Sequence, residues 1–334
     1  MTFGWEQASS VVTQRIATEM VKTFVASGGT LVDTARIYSG GSCEAMVNEA
    51  CKDLDVLVGT KAHPSQSLAS DSGLSLPGLE KQFETSSDNL PDCFPLHEYY
   101  LHQPDPESDL LDSLRYVDGL IKSGKVKKLG LSNYNVNEVK RAFSLCDSHG
   151  LTPPSVYQGL MNPLNRMVEA ELLPFLRSRG CSFVAYNPLA AGLLTGKHME
   201  GTEVLEGRFK DNQNYLPRFY TEGNFRALSR IREACEAANI SMVEGSYLWL
   251  LRHSALGEND GVLLGASSIA QLESNLKACE RAKREVLPEE VRVAFEEAWE
   301  VTKTENPFKY WRAFSRDMPG GESMDQGEAY AVKK

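Results

Sequence analysis

Short apolar segments alternate with longer amphipathic ones along most of this sequence, and this alternation constrains the fold more than any other feature. Seven short segments are typical of buried strands. Eight longer segments carry apolar residues at spacings of three and four, which is typical of helices. A strand, helix, strand order favours parallel strands joined by crossover helices. The predicted strands are 31–33, 56–61, 95–102, 126–131, 155–158, 181–186 and 262–264.

The length of the chain, 334 residues, is compatible with two parallel architectures. An eight-stranded α/β barrel takes about 250 residues, and up to roughly 400 with insertions. A doubly wound sheet is the alternative, but no predicted strand is followed by the GxGxxG pattern that binds dinucleotides in that fold. We therefore predict an α/β fold, a (β/α)8 TIM barrel, as one domain that spans residues 1–334.

Some segments fall outside the regular alternation. Met1-Thr2-Phe3-Gly4 leaves room for only a short or partial first strand, so the strand at 181–186 counts as the seventh. A long loop, 189–223, follows it, and long loops in compact domains are usually functional. One additional helix is predicted at 241–253 and another after Pro288. The polar tail, 317–334, is expected to be mobile.

Polar residues occur where the predicted strands end, and in a barrel these ends surround the active site. Three successive predicted strands, 31–33, 56–61 and 95–102, end in Asp33, Lys61 and His102, and Tyr38 follows the strand 31–33 in a loop rich in Ser and Gly. Each residue has a plain structural interpretation on its own, as a helix cap, a solvated strand end, a buried histidine or a surface tyrosine. Their joint occurrence at successive strand ends favours a proton-transfer site.

The four side chains suit acid catalysis on a carbonyl oxygen. A free tyrosine has a pKa of about 10, but a neighbouring ammonium stabilises the phenolate and lowers that pKa. Lys61 can supply the ammonium, Asp33 can keep it charged and oriented, and His102 can donate to the substrate oxygen. The hydride for a reduction must come from a cofactor, because no side chain supplies one.

Charge and cysteine content narrow the class of protein. The net charge of −10 and the sequence pI near 5.3 argue against nucleic acid or an anionic membrane as the main partner. Seven cysteines without a CxxC pair indicate reduced thiols rather than a zinc site. No apolar run approaches the roughly 20 residues of a membrane span, and no signal-peptide pattern is visible. We therefore expect a cytoplasmic protein without a metal centre.

Seven motifs resemble those of the aldo-keto reductases over nearly the whole chain, and the branch of aflatoxin aldehyde and succinic semialdehyde reductases is the most similar. The motifs are LVDTARIYSGGSCE, VGTKAHP, YYLHQPD, GLSNY, MNPLNRMVEAELLPF, AYNPLAAGLLTGK and GASSIAQLESNL. The resemblance implies a catalytic tetrad of Asp33, Tyr38, Lys61 and His102, in which Tyr38 is the general acid. It also implies a small carbonyl compound, an aldehyde or a ketone, as substrate.

By the same resemblance, NADPH would lie extended across the barrel mouth. The residues implied for its nicotinamide end are Ser132, Asn133, Gln158 and Tyr186. Those implied along the pyrophosphate are Asn187, Leu189, Ala190, Gly192, Leu193 and Lys197. Those implied around the adenosine and its 2′-phosphate are Arg208, Gly265, Ser267, Gln271 and Asn275. Arg218 and Tyr220, in the long loop, are candidate substrate-pocket residues beside Tyr38 and His102.

Alternatives to an enzyme remain open on the same fold. A cofactor-binding sensor or accessory subunit is the first, because the potassium-channel β subunits share this fold. Those subunits have Asn at the position of His102, so the complete tetrad favours an enzyme. A catalytically inactive scaffold, left by the short N-terminus, is the second. The segment after Glu305 matches the family poorly. Resemblance to the aflatoxin aldehyde reductase branch implies a homodimer.

Overall fold

The computed structural model describes residues 3–5, 10–64, 73–198, 209–210, 215–305 and 308–312. Within these ranges seven parallel strands form one sheet, in which strands that follow one another along the chain are also hydrogen-bonded neighbours. The strands are β1 Leu31–Asp33, β2 Leu57–Ala62, β3 Leu96–Leu101, β4 Val126–Ser132, β5 Val156–Leu160, β6 Ser182–Tyr186 and β7 Gly261–Val262. This order confirms the predicted α/β architecture with parallel strands.

Helices precede the sheet, connect its strands and follow it. In the described ranges they are α1 Gln14–Ala26, α2 Cys43–Cys51, α3 Leu76–Asn89, α4 Leu110–Lys122, α5 Val136–His149, α6 Leu172–Ser178, α7 Leu216–Phe219, α8 Glu222–Ala237, α9 Met242–Arg252, α10 Ile269–Ala282 and α11 Glu289–Glu305. Each connection between consecutive strands contains at least one of them, as parallel pairing requires.

Local capping fixes where these helices begin, and therefore where the strand ends face the site. At the start of α5 the Asn135 side chain accepts from the N–H of Glu138 at 3.0 Å, and the Glu138 carboxylate accepts from the N–H of Asn135 at 2.8 Å. This reciprocal pair is a capping box, which satisfies two of the helix's unpaired donors. Because α5 begins at Val136, Ser132 and Asn133 remain at the open end of β4.

The sheet curls around a common interior. α1, before β1, packs against α10, after β7, and the two edge strands both contribute to the wall of one cavity. The expected eighth strand is not formed within the described ranges, where the N-terminal segment makes only an isolated bridge between Phe3 and Val12. The part of the chain described therefore forms a curled sheet of seven strands rather than a closed barrel of eight.

The segment predicted as the long loop 189–223 contains regular turns. Residues Ala190–Thr195 form a 3₁₀ helix, and α7 lies within the loop. α8 begins at Glu222 rather than at the predicted position 226, because the Thr221 hydroxyl accepts from the N–H of Asn224 at 3.3 Å and caps it. The predicted tail 317–334 lies outside the described residues. Among the described helices, none is both long and apolar enough to cross a membrane.

Candidate active site

A cavity of about 820 Å³ opens at the carboxyl ends of the strands. Its wall includes fifteen of the residues predicted for the site. They are Asp33, Tyr38, His102, Ser132, Asn133, Gln158, Tyr186, Asn187, Leu189, Gly192, Lys197, Gly265, Ser267, Gln271 and Asn275. The parallel order of the strands explains this convergence, because parallel strands present all their carboxyl ends at one edge of the sheet.

A buried ion pair lies at the cavity floor, where Asp33 lines the cavity and Lys61 lies behind it. The ammonium of Lys61, at the end of β2, contacts the Asp33 carboxylate at the end of β1 and donates to the carbonyl of Thr34 at 2.7 Å. The Lys61 side chain is fully buried, whereas that of Asp33 is 10% exposed. A buried ammonium is tolerated only when it is paired and hydrogen-bonded. Pairing with Asp33 thus holds the Lys61 ammonium in a fixed position at the base of the site.

Tyr38 and His102 lie above this charge and reach the cavity. Tyr38 begins a 3₁₀ turn after β1, in which Ser39 has a positive φ of 52°. The Tyr38 ring centroid is 5.4 Å from the Lys61 ammonium and 5.6 Å from the His102 ring, to which it is nearly perpendicular. The structure therefore brings together the four residues predicted as a tetrad from three separate strand ends.

His102 is held in its neutral form. Burial lowers the pKa of His102 well below its usual range, and electrostatic interactions with His63, Lys61 and Arg312 lower it further. The adjacent His63, whose ring centroid lies 5.1 Å away, has a pKa lowered to about 3, mainly by burial. A neutral imidazole carries one N–H, so His102 can donate one hydrogen bond to an oxygen in the cavity.

Amide side chains occupy the end of the cavity nearest the tetrad. Asn133 donates through Nδ2 to the carbonyl of His102 at 2.8 Å, and its Oδ1 accepts from the Tyr186 hydroxyl at 2.9 Å. Gln158 donates through Nε2 to Asp33 Oδ1 at 3.0 Å. Asn133 has a φ of +63°, a conformation that asparagine tolerates better than most residues. The end of β5 is thus tied to the Asp33–Lys61 pair, and the ends of β4 and β6 are tied to His102.

The opposite end of the cavity lies at the start of α10. The Ser268 hydroxyl caps this helix, and the backbone and hydroxyl of Ser267 both donate to Gln271 Oε1, at 2.9 and 3.1 Å. Asn275 donates to the carbonyl of Gly265 at 3.2 Å. A helix N-terminus attracts negative charge. Lys197 is an exposed cation on the same wall, so this end suits an anionic group.

Three predicted cofactor and catalytic residues do not form the cavity wall. Lys61 lies behind Asp33, as described above. Ala190 and Leu193 are fully buried within the 3₁₀ segment, so their side chains pack into the core. Arg208 lies outside the described residues.

The two predicted substrate residues of the long loop also lie behind the wall. Arg218 is buried on α7, where its guanidinium stacks on the Phe308 ring at 3.9 Å. Tyr220 makes a 3.0 Å hydrogen bond with His198 Nδ1 and packs edge-on against Phe225. Neither is part of the cavity wall. Both pack among aromatic side chains of the loop on the side away from the cavity.

Sequence reasoning missed the contribution of the C-terminal segment 308–312. Arg312 lines the cavity, is 4% exposed, and donates its backbone N–H to the carbonyl of Asn133 at 2.8 Å. Asn165 anchors the same segment by donating to the carbonyl of Phe308 at 2.7 Å. The only local signal was the concentration of aromatic residues, Phe308, Tyr310 and Trp311, in a short stretch after the last helix.

Comparison with known proteins shows the family of the chain. The model of the Aldo/keto reductase family matches residues 1–294. The chain is 38% identical over 312 residues to aflatoxin B1 aldehyde reductase member 2 of Rattus norvegicus, a match that covers 87% of this chain and 82% of that protein. It is 37% identical over 313 residues to human aldo-keto reductase family 7 member A3, covering 88% and 91%. The chain therefore belongs to the aldo/keto reductase family and is an oxidoreductase of that family.

Proposed function

We propose that this protein is an NADPH-dependent reductase that converts aldehydes and ketones to alcohols, with Tyr38 as the general acid. The observation that carries the proposal is the convergence of four side chains at one end of the sheet. Lys61 pairs with Asp33 and lies 5.4 Å from the Tyr38 ring centroid, the His102 ring lies 5.6 Å from that of Tyr38, and Asp33, Tyr38 and His102 all line the open cavity. The aldehyde reductases among the relatives support the same class of substrate.

The reaction follows from the roles that these side chains can fill. NADPH, when bound, supplies the hydride that reaches the carbonyl carbon. His102, being neutral, donates a hydrogen bond that orients the carbonyl oxygen. Tyr38 transfers its phenolic proton to that oxygen as negative charge develops on it. Lys61 stabilises the phenolate left behind, and Asp33 keeps Lys61 in place.

The side chains around the cavity fit an extended dinucleotide. The amides of Asn133 and Gln158 lie near Tyr186, whose half-buried ring offers a flat face for the nicotinamide. At the other end, Lys197 and the N-terminus of α10 suit phosphate groups. The two ends therefore have the chemistry of the two ends of NADPH: hydrogen-bonding amides for the carboxamide and positive charge for the phosphates.

The preference for NADPH over NADH is proposed to depend on Arg208, because the two cofactors differ only by the 2′-phosphate. Charge-assisted hydrogen bonds contribute about 1.5–3 kcal/mol each, which corresponds to roughly ten- to a hundredfold in affinity at about 1.4 kcal/mol per decade. Arg208→Ala should therefore weaken NADPH by about that factor and leave NADH almost unchanged. Dissociation constants for both cofactors, measured by quenching of protein fluorescence, test this expectation.

Lys210 offers a matched control, because it is an exposed cation in the same loop and is not part of the cavity wall. Lys210→Ala removes the same unit of charge and should leave both dissociation constants within about twofold. Equal losses for NADPH and NADH in Arg208→Ala would show that this residue does not recognise the 2′-phosphate.

A sensor or accessory subunit on the same fold is the second candidate, and turnover separates it from an enzyme. The protein is incubated with NADPH and 4-nitrobenzaldehyde, and cofactor oxidation is followed by absorbance. A reductase oxidises many equivalents of NADPH per protein molecule, at a rate proportional to protein concentration. Absence of turnover at any protein concentration would favour the sensor, and His102 would then be a structural residue.

We also propose that the complete fold is a closed barrel. A closed eight-stranded barrel would need one more strand between β1 and β7. Half-buried Val32 and Val262, on those two edges, line the cavity and support this closure. From the family resemblance we also propose a cytoplasmic homodimer.

A further inference from the structure

A second buried carboxylate, Glu98, lies inside the curled sheet below the tetrad. Glu98 belongs to β3 and is 5% exposed. Side chains of a strand alternate between its two faces, so Glu98 and Tyr100 lie on the same face of β3 as His102. The mechanism above does not use this carboxylate. A charged group in a barrel interior is costly unless it is paired, which raises the question of what it does there.

Two residues connect Glu98 to the catalytic ion pair. The Tyr100 hydroxyl donates to Glu98 Oε2 at 2.6 Å, and the Tyr100 ring centroid is 5.2 Å from the Lys61 ammonium. Gln158 is hydrogen-bonded to Tyr100 and donates to Asp33 Oδ1 at 3.0 Å. A continuous polar path thus runs from Glu98 to both members of the ion pair.

Two glycines leave the space that this arrangement needs. Gly59 on β2 pairs in register with Glu98, and a Cβ added there would lie 3.2 Å from the Glu98 Cβ and 3.5 Å from Oε2. Gly130 on β4 pairs with Tyr100, and a Cβ added there would lie 2.3 Å from the Tyr100 ring. A Cβ at that distance would overlap the rigid Tyr100 ring, so Tyr100 can hold this position only if residue 130 is glycine. The flanking strands are therefore shaped around these two side chains.

The charges that face Glu98 come from three neighbouring strands. Lys61 lies on β2, Lys128 on β4 in register with Glu98, and Asp33 on β1. Burial raises the pKa of Glu98, the hydrogen bond from Tyr100 lowers it, Asp33 raises it, and Lys128 and Lys61 lower it. The pKa of Tyr100 lies well above its usual value because of burial, so Tyr100 remains a phenol that donates to the carboxylate.

We propose that Glu98 is a positioning residue whose negative charge acts through Tyr100 and Gln158 on the Asp33–Lys61 pair and sets the pH at which Tyr38 loses its proton. The inference rests on the proposed function in one respect, the role of Tyr38 as the acid. A carboxylate in the interior repels a second negative charge nearby and raises the free energy of forming it. Glu98 therefore offsets part of the effect of Lys61 and keeps Tyr38 protonated, and able to donate, to higher pH.

Glu98→Gln removes the charge and keeps an oxygen that can accept from Tyr100. The phenolate of Tyr38 is then repelled by one negative charge fewer, so Tyr38 should ionise at a pH about one unit lower, the order of magnitude expected for one charge in a protein interior. Near-ultraviolet difference titration measures this directly, because phenolate and phenol absorb differently. The Tyr38→Phe protein serves as the blank that isolates the Tyr38 signal.

Glu44→Gln is the matched control. Glu44 is also a fully buried carboxylate, but it lies on α2 and accepts from the hydroxyls of Thr60 and Ser86 at 2.7 Å each, on the helix-facing side of β2. It should leave the Tyr38 titration within a few tenths of a pH unit. If Glu98→Gln does not fold, the double variant Glu98→Leu/Tyr100→Phe removes both hydrogen-bonding partners together, and the same downward shift is expected.

The outcomes separate the inference from the function that it extends. A Tyr38 midpoint that moves down in Glu98→Gln and stays in Glu44→Gln supports the role of Glu98. The same midpoint in wild type and in a folded Glu98→Gln protein, checked by circular dichroism, would overturn it. Failure of the wild-type protein to oxidise NADPH with 4-nitrobenzaldehyde would instead refute the proposed function, and the titration would still decide the charge effect of Glu98.

Discussion

Tyr38→Phe is expected to lower kcat by at least about 100-fold, the usual cost of losing a general acid, while the dissociation constant of NADPH stays nearly unchanged. The substitution removes one hydroxyl and little volume. The ring is almost fully buried between Lys61 and His102 and should keep its place. Steady-state turnover with 4-nitrobenzaldehyde and fluorescence titration with NADPH measure the two quantities separately.

Tyr116→Phe is the matching control for the loss of a phenol. Tyr116 lies on α4, is half-buried, and packs its ring edge-on against Phe83 outside the cavity wall. This variant should retain wild-type turnover. If Tyr38→Phe also retains most of its turnover, Tyr38 is not the proton donor, and the assignment of the site is wrong.

Lys61→Met should lower reductase activity at neutral pH by about tenfold or more, because the phenolate of Tyr38 loses its neighbouring cation. Without that cation, Tyr38 should ionise at a higher pH, which is the opposite of the shift expected for Glu98→Gln. The pH dependence of kcat/KM, measured from about pH 6 to pH 10 around the usual tyrosine pKa, shows the direction of the change.

The same substitution leaves the Asp33 carboxylate without its buried partner, which typically costs about 3–5 kcal/mol of stability. Thermal melts therefore need to accompany the kinetics, so that activity is compared only among folded proteins. A folded Lys61→Met protein with an unchanged pH profile would show that Lys61 is a structural strand end rather than part of the acid.

The sequence predicted the architecture well because its signals are local. Apolar runs mark strands, and the polar residue that ends each run, such as Asp33, Lys61 or His102, marks the open end of the sheet. Strand bounds were less exact, since pairing with a neighbour decides the last residues. β5, for example, extends to Leu160 because that residue pairs with Tyr186 on β6. The sequence of the segment alone does not indicate this pairing.

The residues that sequence reasoning misplaced or missed depend on contacts between distant segments. Arg218 looked like a pocket residue but stacks on Phe308, some ninety positions later in the chain. Arg312 looked like part of a poorly matching tail but reaches the carbonyl of Asn133 and lines the cavity. Glu98 was not singled out from the sequence, and its importance follows from its burial inside the sheet, in register with Gly59.

In the proposed reaction, hydride passes from NADPH to a carbonyl carbon while the protein supplies the proton. The most direct test uses NADPH deuterated at C4 of the nicotinamide, in the position transferred, with 4-nitrobenzaldehyde in ordinary water. The expected product is 4-nitrobenzyl alcohol with one deuterium on the carbinol carbon, formed in equal amount to the NADP+ produced and identified by mass spectrometry. Alcohol without deuterium at that carbon, whichever hydrogen of C4 is labelled, or cofactor oxidation without alcohol, would contradict it.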